Sequence, residues 1–551
     1  MEAAAGWHAD CADGCAIQVD VAIMDQPMTI TNFSSPYLAA ATDVSKSAIR
    51  AAGGVVASQN RAASEVGAQV LRDGGNAIDA AVATALALTV VEPWMSGLGG
   101  GGALLYYAAK SDTVRCVDFS MVASSGLDPA SYPVVDGVDS DLFGWPKVVG
   151  NRNVLGASSV AVPGVVDGLA LALAEFGSRS WAESLQPAIQ LAEQGLQLDW
   201  FASLSIAQAA ADLQKFPASA ADFLNNGHVP FAAQAAPGKQ PSRLSRTRLH
   251  ATLKALADAG PRDFYEGAIA ASIAADLQAE GSTISRDDLR AYRARIVTPD
   301  ELTYRNQRVC VVPGLNGGPT LLAALRSLAA ASDRSPIDDQ LFVHCARSLR
   351  DAWRDRLATM GSSGGESCTT HLSVVDRDGN MVSLTQTLLS LFGSRLTLPA
   401  TGLLMNNGVM WFDPVPGRPN SIAAGKQPLA NFCPALLLGD KGNHAIGGSG
   451  GRKIMPAMLQ LIALMTDHGL SLDDAIAAPR IDVSGTAWIT ADPRLPASTL
   501  QALADIMPVV LADRDVLPTN YTIATGVSYV GTEKTGAVES TMPWAAAIGV
   551  A

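Results

Sequence analysis

Apolar residues recur at helical spacing along most of the chain, beyond an N-terminal stretch that lacks a sustained period. Ala62, Val66 and Val70 fall on one face of a predicted helix, which ends at the pair Gly74–Gly75. A second, almost wholly apolar helix is predicted over 76–91, where the pattern stops before a proline. This opening pattern indicates two adjacent helices packed in the interior.

The same alternation of element types continues downstream. Helices are predicted over 165–177, 267–281 and 321–331, and a strand over 103–109. Helices interleaved with short apolar strands are typical of a layered α/β or α+β fold.

The clearest local pattern is a pair of alternating strands that flank residues 376–380, whose sequence DRDGN favours a tight turn. If those five residues form the loop, Val375 pairs with Met381 and Thr369 lies opposite Thr387. Both hydroxyls then project at the open end of a hairpin, beside a glycine- and serine-rich linker. A slip of one residue in the register would separate the two threonines.

This pair of threonines has a chemical interpretation. A threonine hydroxyl needs a base beside it to act as a nucleophile, and an N-terminal threonine has one in its own α-amino group, whose ordinary pKa of about 7.7–8.0 suits the task. That amine exists at Thr369 only after the bond from Cys368 is cut. Thr387 would then orient the nucleophile. Because threonine is common in strands, a purely structural role for both stays open.

Two glycine-rich segments lead to different predictions, one of an oxyanion-binding turn and the other of a tight turn without a phosphate site. HAIGGSGGRK, followed by a long apolar helix, places Gly450 and Gly451 at a turn before a helix N-terminus, where backbone N–H groups suit an anionic tetrahedral intermediate. GLGGGG at 97–102 has the spacing of a dinucleotide fingerprint, but it follows a helix and precedes a strand, the reverse of the required order. We therefore predict a tight turn near a pocket there, not a phosphate site.

Composition narrows the class of protein. With 551 residues, 48% hydrophobic and 17% charged, the chain is long and apolar enough for a large packed core. A net charge of −13 and no basic run argue against nucleic acid and anionic membranes as partners. The seven scattered cysteines do not form the pattern of a disulfide framework. The first thirty residues hold no Lys or Arg, so no secretory signal is predicted and cytoplasm is the expected location.

Taken together, the motifs resemble those of the γ-glutamyltranspeptidase family of N-terminal-nucleophile hydrolases. They include GGNAIDAAVATALALTVVEP, TTHLSVVDRDGN, NNGVMWFDPVPGRPNS, GKQPLANFCPALLL and GGSGGRKIMPAMLQ. The resemblance implies an α+β fold in four layers, αββα, and a precursor that cuts itself between Cys368 and Thr369. The family's nucleophile falls on Thr369, its supporting threonine on Thr387, and its oxyanion glycines on Gly450 and Gly451.

The resemblance also implies how the chain is divided. It predicts an N-terminal arm of unknown role over 1–52, a large chain over 53–368 and a small chain over 369–551. A 57.0 kDa precursor would give fragments of about 38 and about 19 kDa. Large and small chains would stay associated, the substrate would be a small-molecule amide, and neither a metal nor an organic cofactor is expected.

Departures from the transpeptidase motifs bear on the substrate. In transpeptidases an arginine follows an Asp-Phe pair and holds the α-carboxylate of the γ-glutamyl group, whereas this chain has Ser120 there. The other glutamyl-binding positions are occupied by Leu389, Gly408, Trp411, Ala430 and Asn431. A buried zwitterionic glutamyl head would lose charged contacts worth about 1.5–3 kcal/mol each. Glutathione is therefore not the expected substrate.

The replacement residues are more similar to the cephalosporin-acylase-like subgroup, which implies hydrolysis or transfer of a non-glutamyl acyl group. Leu389 and Trp411 would form an apolar wall of the pocket. Arg395, Arg452 and Asn431 are candidates for a substrate carboxylate, although surface or helix-end roles explain each more simply. Two alternatives stay open: a true γ-glutamyltransferase that binds glutamate through different residues, and an unprocessed, non-catalytic relative that binds small acyl compounds.

Overall fold

Two seven-stranded sheets form the centre of the structure, a computed structural model that describes residues 29–32, 44–138, 146–231, 241–331, 339–361, 368–516 and 519–551. In chain order the described strands are β1 Ile30–Asn32, β2 Ile49–Ala51, β3 Gly54–Ser58, β4 Gly101–Ala108, β5 Thr113–Phe119, β6 Val134–Val138, β7 Pro146–Val148, β8 Leu196–Gln197, β9 Arg243–Leu244, β10 Arg295–Val297, β11 Asp300–Tyr304, β12 Gln307–Val311, β13 Cys368–Val375, β14 Met381–Leu389, β15 Ala435–Gly439, β16 Asn443–Ser449, β17 Ile481–Asp482, β18 Ile489–Ala491, β19 Val509–Leu511, β20 Ile523–Val530, β21 Glu533–Val538 and β22 Ala546–Val550.

Most of the helices lie on the outer faces of the two sheets. The described ones are α1 Arg61–Arg72, α2 Ala77–Val91, α3 Val165–Phe176, α4 Trp181–Gln194, α5 Trp200–Leu213, α6 Pro217–Phe223, α7 Thr247–Ala259, α8 Ala268–Ala279, α9 Arg286–Ala291, α10 Gly318–Ala331, α11 Asp339–Thr359, α12 Ile454–Thr466, α13 Leu472–Ala477 and α14 Ala497–Ala504. The helices and strands predicted from hydrophobic spacing are confirmed, with small shifts at their ends.

Three apolar clusters divide the molecule into layers. One packs α1, α2, α3 and α4 against the outer face of the first sheet, whose strand order is β10-β5-β4-β14-β13-β3-β22. A second cluster fills the space between the sheets. A third packs α10, α11 and α12 against the second sheet, ordered β11-β12-β15-β16-β20-β21-β2. The predicted αββα layering is therefore confirmed.

The first sheet mixes strands from the two predicted chains. β13 and β14, which begin the predicted small chain, lie between β4 and β3 of the predicted large chain. The second sheet likewise joins β12, from before the predicted cleavage point, to β15, from after it. The two predicted chains therefore share both sheets and do not form separate domains.

The N-terminal end of the chain contributes two short strands. Ile30–Asn32 pairs in parallel with β19, and Ile49–Ala51 forms the edge of the second sheet against β21. The remaining described residues of the predicted arm, 29, 44–48 and 52, carry no regular secondary structure. Most of the arm and the glycine- and serine-rich linker before Cys368 lie outside the described residues, so the boundaries predicted there stay predictions.

Helix α2 is buried on all sides, as its apolar sequence requires. Asn76 caps its first turn in a reciprocal capping box with Asp79. The helix lies between α1, α4 and the first sheet, and Glu92 is its C-terminal cap residue. This placement brings the end of α2 to the strand that carries the predicted nucleophile.

Candidate active site

The predicted hairpin is held by its loop. Both carboxylate oxygens of Asp376 accept hydrogen bonds: Oδ1 from the backbone N–H groups of Asp378 and Asn380, and Oδ2 from the Asn380 side chain and the backbone N–H of Ala77 at the start of α2. Gly379 adopts φ +82°, a left-handed conformation suited to glycine. The loop thus fixes both the register of the hairpin and its contact with α2.

The register prediction is confirmed over most of the hairpin. Val375 pairs with Met381, and the same spacing continues to the pair Thr370–Gln386. A β-bulge then shifts the ladder, so that Cys368 pairs with Leu389. The bulge lies at the two threonines that sequence spacing placed opposite each other.

The two hydroxyls lie close together beside the bulge. Thr369 Oγ1 lies 3.4 Å from Thr387 Oγ1, and both side chains are buried in the uncut chain. Thr387 Oγ1 also accepts a hydrogen bond of 2.8 Å from the backbone N–H of Leu389. Leu389 adopts φ +90°, which is strained for a residue with a branched side chain. The hydroxyl of Thr387 is therefore oriented by the backbone and directed at Thr369.

Alternation along β13 places neighbouring side chains in different layers. His371, on the same face as Thr369, bonds Thr385 through Nδ1 at 2.9 Å and Ser373 through Nε2 at 3.0 Å. Burial lowers the pKa of His371 to about 3, so its ring is neutral. Thr370 points the other way, toward α2. The face of β13 that carries Thr369 and His371 is therefore directed into the space between the two sheets.

The predicted oxyanion glycines lie at the end of β16 in the second sheet. Gly450 and Gly451 have φ of +138° and +61°, and Gly451 begins the short turn that leads into α12. Ser449, just before them, accepts a hydrogen bond of 2.6 Å from the side chain of Gln59, which directly follows strand β3 of the first sheet. Strand β3 pairs with the hairpin strand β13, and its last residue, Ser58, lies opposite Leu372. The bond from Gln59 therefore connects the glycine turn to the end of the strand next to the hairpin.

Most of the predicted substrate-binding residues are buried in or beside the inter-sheet cluster. Leu389, Trp411 and Ala430 belong to that cluster, and the Trp411 ring packs edge-on against Phe432 with centroids 5.3 Å apart. A side chain at Gly408 would contact Met121, Ala161 and Asn406, so glycine is required by close packing there. Leu389, Trp411 and Ala430 are almost completely buried and form part of the packed interior between the sheets.

Ser120 lies at a separate cavity of about 450 Å³. Its hydroxyl is buried without a hydrogen-bond partner among the described residues. Asp118, on the same wall, receives a hydrogen bond of 2.8 Å from Arg295. The cavity lining includes neither Thr369 nor Thr387, so the structure does not join Ser120 to the threonine pair through one pocket.

The candidate carboxylate-binding residues are engaged inside the protein. Arg395 donates to the carbonyl of Gly393 at 2.9 Å and lies 3.9 Å from the Asp212 carboxylate. Asn431 accepts a hydrogen bond of 3.2 Å from Arg356. Arg452 stacks over the ring of Trp353 at 5.6 Å, and burial lowers its pKa to about 10. These contacts favour structural roles for Arg395 and Arg452.

Two buried ionisable residues near the site were not predicted. Glu92 accepts a hydrogen bond of 2.8 Å from Thr370, and burial raises its pKa to about 8. Arg356 donates to the carbonyl oxygens of Asn316 and Ala430, and burial lowers its pKa to about 9. The only sequence signal for Glu92 was a single acidic residue at the end of a long apolar run.

Other classes of site find no support in the described ranges. No group of three or more His, Cys, Asp and Glu side chains there is arranged to hold a metal ion. Among the same residues, no helix combines the length and the apolar character needed to cross a membrane. The predicted glycine turn is confirmed over 97–100, where the backbone N–H of Gly100 donates to the carbonyl of Gly97 at 3.0 Å, whereas Gly101 and Gly102 begin β4. A Cβ at Gly100 would clash with the carbonyl oxygen of Thr387.

Comparisons with known proteins find similar chains. A family model described as gamma-glutamyltranspeptidase matches residues 63–364 and 347–540. The acylase ACY 1 proenzyme of Pseudomonas sp. (strain V22) is 35% identical over 493 residues, which are 82% of this chain and 86% of the relative. The glutathione hydrolase proenzyme of Escherichia coli (strain K12) is 30% identical over 495 residues, 78% of this chain and 81% of the relative.

A solved structure shares the fold. Cephalosporin acylase from Bacillus halodurans matches with a TM-score of 0.80 over 93% of this chain and 98% of that chain, at 22% sequence identity. At this identity the likeness establishes the common four-layer architecture.

Proposed function

The chain belongs to the gamma-glutamyltranspeptidase family, whose members cleave amides as hydrolases or acyltransferases, and we propose that it is an acylase that cuts itself before Thr369 and uses that threonine as its nucleophile. The observation that carries the proposal is the contact of 3.4 Å between the hydroxyls of Thr369 and Thr387 at the end of the central hairpin. Names of relatives as proenzymes agree with a self-processing precursor.

Self-cleavage would be an acyl shift followed by hydrolysis. Thr369 Oγ1 attacks the carbonyl carbon of Cys368, and the peptide C–N bond breaks as the nitrogen takes the hydroxyl's proton. Water then hydrolyses the resulting ester. The products are a carboxylate at Cys368, a restored Thr369 hydroxyl and a free α-amino group.

Turnover would use that amine as the base. Thr369 Oγ1 attacks the substrate carbonyl while its own α-amine takes the hydroxyl proton. The backbone N–H groups of Gly450 and Gly451 would stabilise the oxyanion, and the leaving amine departs with the proton. Water, or an amino acceptor, then takes the acyl group and frees the enzyme.

The acylase preference is supported by the lining of the inter-sheet space. Leu389 and Trp411 are buried there, and neither can bind an α-amino or α-carboxylate group through a charged side chain. A zwitterionic glutamyl head would therefore be desolvated without compensation. The acylase proenzyme among the relatives matches more closely than the glutathione hydrolase, at 35% against 30% identity.

Intact-mass analysis and N-terminal sequencing of the purified protein test the first part of the proposal. We expect fragments of about 38 and about 19 kDa, the smaller beginning at Thr369. Thr369→Ala should remain a single chain and lack activity. A stable uncut wild-type chain of 57.0 kDa, or a cut and active Thr369→Ala, would overturn the mechanism. In the former case the non-catalytic binding relative becomes the better interpretation.

Chromogenic anilides test the acyl preference. A glutaryl anilide lacks the α-amino group of the matching γ-glutamyl anilide and is otherwise the same length. We expect the glutaryl compound to have the larger kcat/KM. A larger kcat/KM for the γ-glutamyl compound would instead identify a true γ-glutamyltransferase with an altered glutamate site.

A further inference from the structure

Glu92 is a buried carboxyl group attached to the nucleophile strand. Its Oε2 accepts a hydrogen bond of 2.8 Å from the hydroxyl of Thr370, the residue that follows the proposed nucleophile. Its Oε1 is buried and has no hydrogen-bond partner among the described residues. The side chain is fully buried, and it caps the C-terminus of α2, where the helix dipole disfavours a negative charge.

The surroundings of Glu92 contain no compensating cation in the described structure. Burial raises its pKa to about 8, and the hydrogen bond from Thr370 opposes that rise. Ser96 and Gln386, which are hydrogen-bonded to each other beside this end of α2, are uncharged. His371, on the opposite face of β13, is neutral because burial lowers its pKa to about 3. In the uncut chain, Glu92 therefore holds its proton at neutral pH.

Cleavage before Thr369 would introduce a cation close to this group. Consecutive Cα atoms are about 3.8 Å apart, so the nitrogen of Thr369 lies within about 11 Å of Glu92 Oε2 through the Thr370 side chain. A protonated amine at that distance, in a buried site, favours the ionised form of a carboxyl group. Ionised Glu92 would in turn favour the protonated amine.

We infer that Glu92 is a positioning residue, which holds the amino end of the nucleophile through Thr370 and contributes the negative charge that balances the α-ammonium of Thr369 after cleavage. This inference rests on the proposed function of Thr369. Without such a charge, burial would lower the pKa of the α-amine and make it a weaker base. Glu92 keeps the pKa of that amine near neutral pH, where general-base catalysis is most effective.

The pH dependence of kcat/KM in the processed enzyme tests the inference. Glu92→Gln keeps the size of the side chain and an oxygen acceptor for Thr370 but removes the ionisable group. We expect it to shift the acidic midpoint of the profile to lower pH by about one unit, because the amine then loses its proton more easily. A purely structural role would lower kcat and leave that midpoint unchanged.

A second pair of variants tests the hydrogen bond alone. Thr370→Val removes the hydroxyl group that donates the hydrogen bond to Glu92, whereas Thr370→Ser keeps it. We expect Thr370→Val to lower kcat about tenfold with little change in KM, and Thr370→Ser to recover most of the loss. Thr89→Val is the matched control, since the hydroxyl of Thr89 is also buried but donates to the carbonyl of Leu86 within α2 and not to Glu92.

The outcomes separate this inference from the proposed function. Uncut wild type, or an active Thr369→Ala, would remove the proposed function. A processed, active wild type combined with an unshifted profile in Glu92→Gln would overturn only the role of Glu92. If Glu92→Gln does not fold, equal kcat values for Thr370→Val and Thr370→Ser would overturn it instead.

Discussion

At the scale of single residues, the site depends on how the hydroxyl of Thr387 is held. Its oxygen accepts a hydrogen bond of 2.8 Å from the backbone N–H of Leu389 and lies 3.4 Å from Thr369 Oγ1. That arrangement requires a positive φ at Leu389, where most side chains are strained. A strained residue next to a buried polar contact indicates that the contact is maintained for function.

Removing the hydroxyl of Thr387 should therefore reduce the enzymatic activity more than it reduces the stability of the fold. Thr387→Val has a similar shape but cannot accept the Leu389 N–H or contact Thr369. We expect kcat to fall about 100-fold, with slower self-cleavage, and Thr387→Ser to retain most of the activity. Rates of processing and of anilide hydrolysis measure both effects. Unchanged rates in Thr387→Val would show that Thr387 has only a structural role.

Sequence reasoning at this scale found the threonine pair but missed its buried neighbours. Thr369 and Thr387 were identified from the length of one loop, because pairing in a hairpin follows from simple counting. Glu92 was missed because it is distant in sequence and reaches Thr370 only when α2 packs on the sheet. Side-chain contacts across layers leave no periodic signal in a sequence.

At the scale of elements, the positions of the helices and strands agree closely with those predicted from hydrophobic spacing. The face that a helix buries is not always the predicted one. For α1 the spacing indicated a face that includes Ala62, Val66 and Val70. The structure exposes Ala62 and buries Ala63 and Gly67 instead. Gly67 lies against α2, where a Cβ would meet the hydroxyl of Thr84. Close helix contact through a glycine, and not hydrophobicity alone, selects the buried face.

The contact between β13 and β16 joins the two halves of the proposed site. His371 on β13 packs directly on Gly447 of β16, where a Cβ would lie 2.2 Å from the ring atom Cε1. The ring cannot move aside easily because Thr385 and Ser373 hold both of its nitrogens. The sheets can approach this closely at this point only with glycine at 447.

Gly447→Ala should separate the sheets at the site. We expect the free energy of unfolding in urea to fall by about 1–3 kcal/mol, with slower self-cleavage, because the added methyl group overpacks a buried contact. Gly126→Ala is a suitable control, since a Cβ there meets its nearest neighbours at ordinary van der Waals distance. Equal stability of Gly447→Ala and the wild type would contradict this account of the packing.

At the scale of the whole molecule, the two predicted chains are interleaved. In the first sheet, β13 and β14 from the predicted small chain pair with β3 and β4 from the predicted large chain. Without them, β3 and β4 would each present an unpaired edge in the middle of the sheet. The two predicted chains therefore form one folding unit, and we expect them to remain one unit if the connecting bond is cut.

The processed fragments should consequently be inseparable under native conditions. We expect both to elute together at the size of the intact chain or a multiple of it, and to separate only in denaturant. Residues 1–368 expressed alone should fail to give a cooperative unfolding transition, whereas uncut Thr369→Ala should give one. Size-exclusion chromatography and circular dichroism measure these outcomes. A folded, soluble 1–368 fragment would contradict the interleaved arrangement.

The sequence by itself determined the element types and most of the hairpin register, because each depends on local spacing, turn chemistry or counting along one loop. The choice of Thr369 as candidate nucleophile came from the family resemblance. The family resemblance placed Gly450 and Gly451 in the same site. Only the tertiary structure showed that a bulge interrupts the ladder at Thr369, that Gln59 hydrogen-bonds Ser449 across the two sheets, and that Glu92 lies behind the proposed nucleophile strand. The physical reason is that these contacts join distant segments, and their geometry is set by the packing of layers and not by any local pattern.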